Sequence, residues 1–229
     1  PTKFDNKIMN IKEGIEKRFS VRAFTKEVPS MELISEILKT ANAAPSGGNI
    51  QPWKVYVLNE HAKNNLAKKT LHNFDNGVQE EIEYDIYPKP LADEYKKRRY
   101  ECGADMYNAL SIEKDDLDSR FKQIRENYNF FGAPIGMIIT IDRTFGSNGW
   151  GHVGMFLENL WLSAIHHGLG LCLQESWSIY PKTVKEHINH PDNEIVWCGI
   201  AIGYENTNHP INQYRTRREN LESFVKFID

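Results

Sequence analysis

The sequence predicts one α+β domain, a central β-sheet wrapped by helices, and three observations point there. Ile135–Ile141 and Ile195–Ile202 are short, almost continuous apolar runs, the pattern of strands buried on both faces. Between them Val153, Phe156, Leu157, Leu160, Trp161, Ala164 and Ile165 recur at helical spacing, while Met155 and Leu162 put apolar groups on the other side. A helix apolar nearly all round lies in a core or at a subunit interface. Helical and extended segments alternate irregularly over 229 residues, enough for one domain with a real core.

The elements follow in order. A first helix is predicted from Asn6 to Lys17, with Ile8, Ile11 and Ile15 on one face. A second runs from Met31 to Asn42, with Leu33, Ile34, Ile37, Leu38 and Ala41 at helical spacing. Ser30 is its N-cap and Glu32 suits the positive end of the dipole, but Leu33 stands where a capping box needs Glu or Gln. Lys54–Leu58 reads as the first strand. From Glu60 to Arg125 the chain is polar and mostly helical, broken at Tyr87-Pro88-Lys89-Pro90, and Leu117, Phe121, Ile124 and Tyr128 mark a helix face near its end. Gly168 and Gly170 stop the long apolar helix. No repeat or low-complexity linker divides the chain, so 1–229 is one domain with a helical excursion at about 84–129.

Composition excludes several functions. Hydrophobic residues make up 40% and charged ones 26%, with a net charge of −3, so no basic field draws the protein to nucleic acid or membrane. No apolar run approaches a membrane span, and Pro1-Thr2-Lys3 is not expected to open a signal peptide. Cys102, Cys172 and Cys198 are few, odd in number and far apart, which reads as reduced thiols in a cytoplasmic protein.

Four motifs bear on chemistry. Arg18-Phe19-Ser20-Val21-Arg22-Ala23-Phe24 places two guanidiniums and a hydroxyl within five residues, and alternation can aim Arg18, Ser20 and Arg22 the same way at a phosphate. Taken alone, such arginines are a solvated surface. Ala44-Pro45-Ser46-Gly47-Gly48-Asn49-Ile50-Gln51-Pro52-Trp53 ends the second helix in a loop that brings backbone N–H groups and short polar side chains to a ligand, with Trp53 in the core. Gly168-Leu169-Gly170-Leu171-Cys172-Leu173-Gln174-Glu175-Ser176-Trp177 is either a helix stop before a strand or main chain presented to a ligand edge. It is not a dinucleotide fingerprint. Tyr214-Arg215-Thr216-Arg217-Arg218 is a solvated basic face or a phosphate partner for Arg18.

Together these motifs resemble the FMN-dependent nitroreductase family over essentially the whole chain. The resemblance implies a nitroreductase-like mixed sheet in an intertwined homodimer, with two FMN molecules at the interface. Arg18, Phe19, Ser20 and Arg22 would then bind FMN from one subunit, Arg18 at the phosphate and Arg22 at the pyrimidine side. Pro45, Ser46, Gly47, Asn49 and Gln51 would come from the other. Gln174, Glu175 and Ser176 would lie along the flavin, and Arg215 and Arg217 at the phosphate, with Arg217-Arg218 leaving open which guanidinium reaches it. The implied activity is NAD(P)H-dependent reduction of nitroaromatic or quinone-type compounds by a ping-pong route, with no side chain assigned to proton transfer. The same fold also allows reductive dehalogenation, enone reduction, dehydrogenation or flavin breakdown.

Two readings from other classes stand beside it. A metal-dependent hydrolase would use His152, His187 and His190, the last two placed on one helix, yet no H-E-x-x-H or C-x-x-C accompanies them. A flavin-free binding module would hold no cofactor. There is no G-x-S-x-G elbow, and Cys172 between leucines reads as buried and inert.

Overall fold

Both central strands lack a solvent face, which accounts for their apolar sequences. The computed structural model describes residues 10–228. Among these, β1 (Trp53–Leu58), β2 (Ile135–Asp142), β3 (Gly170–Gln174) and β4 (Glu194–Gly203) lie in the order β1-β2-β4-β3, antiparallel throughout. On one face Met137, Ile139 and Ile200 pack against Ile34 and Ile37 of α2 (Met31–Ala41) and Phe156 and Leu160 of α6 (Ser147–His166). On the other, Ile138, Val196 and Ala201 meet Leu66 of α3 (Glu60–Asp75) with Tyr128, Phe130 and Trp177. Each such side chain contributes about 1.5–3 kcal/mol when fully buried, so polar alternation would only destabilise these strands. The four-stranded sheet is thus antiparallel rather than mixed, and the parallel pairing beside it, Ser20↔Leu171, is an isolated bridge.

Helix starts follow their caps. The Ser30 hydroxyl accepts the Leu33 N–H at 3.1 Å, as its position predicts. The first helix, α1 (Ile11–Lys17), begins later than the pattern implied, because the Asn10 side-chain Oδ1 caps it there, accepting the Glu13 N–H at 2.9 Å. Its predicted start at Asn6, and Ile8, lie outside the described residues. Ile11 and Ile15 are 79% and 53% exposed, so that apolar stripe faces no core within one chain.

The polar stretch folds as α3, α4 (Asp93–Ala109) and α5 (Leu117–Arg125). The helix face marked by spacing is largely solvent-facing in the chain: Leu117, Phe121 and Ile124 on α5 are exposed and only Tyr128, beyond it, is buried. The chain leaves the α-helix after Arg125 for a 3-10 segment, Glu126–Gly132, which swings Tyr128 into the core against Phe74. His187 and His190 do not share a helix either. α7 (Pro181–Ile188) ends at Asn189 in the left-handed conformation, φ 52°, so His190 falls past the turn.

Candidate cofactor-binding site

The first motif is fastened to the open edge of the sheet. Val21 N–H donates to Leu171 O at 2.9 Å and Thr25 N–H to Tyr204 O at 2.8 Å. The approach requires Gly170, where a Cβ would sit 2.5 Å from Val21 Cγ2. Buried Asn212 locks the strip to the tail: its Oδ1 accepts the Arg22 N–H at 2.9 Å, and its Nδ2 donates to Ala23 O at 2.9 Å and Asn206 O at 3.0 Å. Nothing in the sequence marks Asn212, because Arg22 and Ala23, the residues it fastens, lie nearly two hundred residues away.

The three polar groups of this motif do not all point one way. The Arg18 guanidinium carbon lies 4.4 Å from the centroid of Trp161 on α6. Ser20 and Arg22 stand instead beside Cys172, whose thiol is pushed up by burial. Arg22 Nη1 donates to Ser20 O and to the Tyr214 hydroxyl, both at 3.4 Å. From the tail, the Arg215 guanidinium carbon stands 3.6 Å from the Phe19 centroid, with Nη1 donating to Asn212 O at 2.7 Å. Lys17, Phe19, Trp161, Gly170, Glu205 and Arg215 enclose a cavity of about 260 Å³. Burial raises the Glu205 carboxyl, and Arg215 partly offsets this.

Charge bookkeeping separates the arginines. Among the described residues no carboxylate oxygen lies within 4.0 Å of Arg18, Arg22 or Arg215, whereas Arg217 pairs with Asp105 at 2.6 Å and Glu101 at 4.0 Å on α4. Arg218 turns back to the Thr216 hydroxyl at 2.6 Å. Arg215 therefore joins the first motif, while Arg217 ties down the tail. Arg18 and Arg22 are half-buried and Arg215 lies exposed beside Phe19. A half-buried cation without an acidic partner is costly unless an anion supplies one, so this donor set fits a phosphate-bearing, planar ligand.

The second motif forms a tight loop. Gly48, Asn49 and Gln51 have φ of 58°, 56° and 46°, and non-glycine residues in this region persist only where surroundings hold them. Ser46 Oγ accepts the Gln51 N–H at 3.0 Å and Gln51 Nε2 donates to Asn49 O at 2.9 Å. Pro45 and Asn49 stay exposed. Trp53 packs in the core, stacked on Phe156 at 5.0 Å, as expected. The loop is tethered by His152 of α6, whose Nε2 accepts the Gly47 N–H at 3.2 Å and whose buried Nδ1 has no partner. His152 thus touches the loop, and no metal cluster exists among the described residues.

The two motifs do not meet within one chain. Their α6 contacts, His152 and Trp161, are nine residues apart, about 14 Å along the axis and about half a turn out of phase.

The third motif runs from β3 into a tight turn. The Gln174 side chain turns inward, its Nε2 donating to Asn127 O at 2.6 Å and its Oε1 accepting from Trp177 Nε1 at 3.4 Å. The next segment, Glu175–Ile179, is a 3-10 turn. Ser176 Oγ is buried there without a partner, an orphaned polar atom of the kind a ligand satisfies. Desolvation raises the Glu175 carboxyl.

Comparison with known proteins gives one consistent result. Residues 15–204 match the sequence model of the Nitroreductase family. A 4-nitrobenzoate reductase from Nocardioides sp. (strain LMS-CY) is 34% identical over 92% of this chain and 87% of its own length. A nitrobenzene nitroreductase from Ectopseudomonas oleovorans is 30% identical over 95% of this chain and 96% of its own. The crystal structure of FMN and NADPH-dependent nitroreductase NfnB from sphigopyxis sp. strain HMH superimposes with a TM-score of 0.91 at 33% identity, covering 95% of this chain and 98% of that one. With that sequence match over residues 15–204 and that superposition, the chain belongs to the nitroreductase family.

Proposed function

We propose that this protein is an FMN-dependent oxidoreductase that uses NAD(P)H to reduce nitroaromatic or quinone-type compounds. The observation that carries this reading is the set of three guanidiniums, Arg18, Arg22 and Arg215, held near one sheet edge with no carboxylate partner among the described residues. Named relatives that reduce nitrobenzoate and nitrobenzene, and a neighbour described as FMN and NADPH-dependent, support it.

In this reading FMN supplies the hydride and electron chemistry. The protein binds and orients. Arg18 and Arg215 would hold the phosphate, their planes fixed by Trp161 and Phe19. Arg22, propped by Ser20 O and Tyr214, would place positive charge where the flavin gains electron density. Ser46, Gly47, Asn49 and Gln51 would offer short donors from a second copy, and Glu175 and Ser176 main-chain N–H groups along the ring edge. Reductant and oxidant would occupy one pocket in turn, a ping-pong route.

A homodimer completes this arrangement. The motifs lie half a turn apart on α6, so one copy cannot close both around one ligand. Met155 on α6, with Ile11, Ile15, Phe224 and Phe227, exposes apolar surface on the single chain. Three unpaired cysteines suit a reducing cytoplasm. No helix of the described residues is long and apolar enough to cross a membrane.

The test is the visible absorption spectrum after incubation with FMN, followed by NADPH and NADH oxidation with and without nitrobenzoate. A stably flavin-free protein removes the proposal. A yellow protein whose NAD(P)H oxidation no nitroaromatic or quinone accelerates shifts it to another reaction of the fold.

A further inference from the structure

The helical excursion carries a second cavity with its own chemistry. It has a volume of about 340 Å³, room for one small ring, and lies between α4 and α5. Lys96, Arg99, Tyr100, Tyr107, Lys114 and Arg120 line it over a floor of Gly103 and Ala104. On α4 the lining residues 96, 99, 100, 103 and 107 fall on one face. Arg98, Glu101 and Asp105, which hold the tail through Glu219 and Arg217, fall on the opposite face at about 100° per residue. The cavity therefore lies on the side of α4 away from the C-terminal tail.

Its charges are one-sided. No carboxylate lines it. Lys96 pairs with Asp93 at 2.9 Å, but among the described residues Arg99, Lys114 and Arg120 have no acidic oxygen within 4.0 Å. The nearby Asp116 caps α5 instead, accepting the Ser119 N–H at 3.0 Å. Two of these cations are pre-oriented on aromatic faces: the Arg120 guanidinium carbon stands 4.2 Å from the Tyr107 centroid, and that of Arg99 4.2 Å from Tyr87. Stacking a guanidinium on a ring leaves its N–H edge free for a bidentate acceptor. Arg120 Nε is spent on Glu113 O at 3.1 Å, which fixes the fork further.

Gly103 supplies an independent observation. Glycine in mid-helix is destabilising relative to alanine, and nothing lies within 4 Å of a Cβ built there. Packing within this chain does not require it. A bare floor under a cavity does, because any side chain there fills the space a ring would take.

We propose that this α4–α5 cavity binds a small aromatic carboxylate, its ring on the Gly103–Ala104 floor between Tyr100 and Tyr107 and its carboxylate on the free edge of Arg120 with Lys114 or Arg99. The inference does not rest on the flavin reading, since none of its residues belongs to the first three motifs.

Isothermal titration with benzoate tests it, on the protein as purified and again after saturation with FMN, with inorganic phosphate and nitrobenzene as probes lacking the ring or the charge. The expected result is saturable benzoate binding in both states, a Kd raised at least about tenfold by Arg120→Gln, and binding abolished by Gly103→Leu with helix content intact by circular dichroism. Phosphate and nitrobenzene should each bind at least about tenfold more weakly than benzoate. Absence of saturation, binding that appears only with FMN, an unchanged Kd in both variants, or phosphate equal to benzoate would each overturn the proposal. Failure to take up FMN would leave the benzoate result readable by itself.

Discussion

Replacing Gly199 by alanine probes the joint between the sheet and the segment that carries Ser176. A Cβ at Gly199 would stand 2.6 Å from Trp177 Nε1 and 2.8 Å from its Cγ. Trp177 cannot retreat. It is fully buried, stacked on Phe130 at 4.4 Å, edge-on to Tyr128 at 5.7 Å, and hydrogen-bonded to Gln174. Overpacking of this kind costs about 1–3 kcal/mol, and at about 2–4 °C per kcal/mol for a chain of this size the Tm should fall by roughly 2–12 °C. Because Trp177 and Ser176 share one 3-10 turn, FMN retention should fall as well. Gly103→Ala is the matched control: with open space around its Cβ, it should gain about 0.5–1 kcal/mol. Thermal unfolding followed by circular dichroism measures both. A Gly199→Ala protein that melts within 1 °C of the parent would refute the packing argument.

Arg18→Ala should raise the FMN dissociation constant about 10- to 150-fold, from the roughly 1.5–3 kcal/mol of a hydrogen bond to a charged group; flavin fluorescence titration reads this, and an unchanged constant removes Arg18 from the site. His152→Ala deletes the acceptor for the Gly47 N–H and should weaken FMN binding by about 2- to 10-fold, the worth of a net hydrogen bond. His152→Asn, which can offer an acceptor, should restore part of it, and equal behaviour of the two variants would argue that His152 only fills space. The Asp75 carboxylate receives Arg125 Nε and Nη2, each at 2.8 Å, and this pair holds its pKa below the ordinary value. A depressed carboxyl stabilises the fold above its unfolded pKa of about 3.9 and loses that contribution as pH falls through the folded value. Asp75→Asn should therefore be less stable than the parent by about 0.2–1 kcal/mol at pH 7. The difference should close on acidification, and a Tm gap constant from pH 7 to pH 3 would contradict it.

The strands and long helices were legible because burial dictates composition. β2 and β4 are apolar runs, since each has a layer on both faces. Ser30 announced α2 through a cap that satisfies a specific N–H. Spacing was less informative where an apolar face had no core to meet. Leu117, Phe121 and Ile124 have a helical repeat, yet they are exposed in the chain, and periodicity reports a shared face without saying what covers it. The αL turn at Asn189, which separates His187 from His190, depends on a backbone conformation that asparagine permits and does not require.

The sequence by itself determined the α+β class, the places where the chain turns polar, and the residue types fit for an anionic planar ligand, because these depend on local chemistry and spacing. Only the tertiary structure decided which of those residues act together. It took Arg217 away to Asp105, kept Arg215 beside Phe19, brought Asn212 to Arg22, and set the two early motifs on opposite sides of α6. Those outcomes follow from competition between partners distant in sequence, settled by which contacts the packed layers leave within reach.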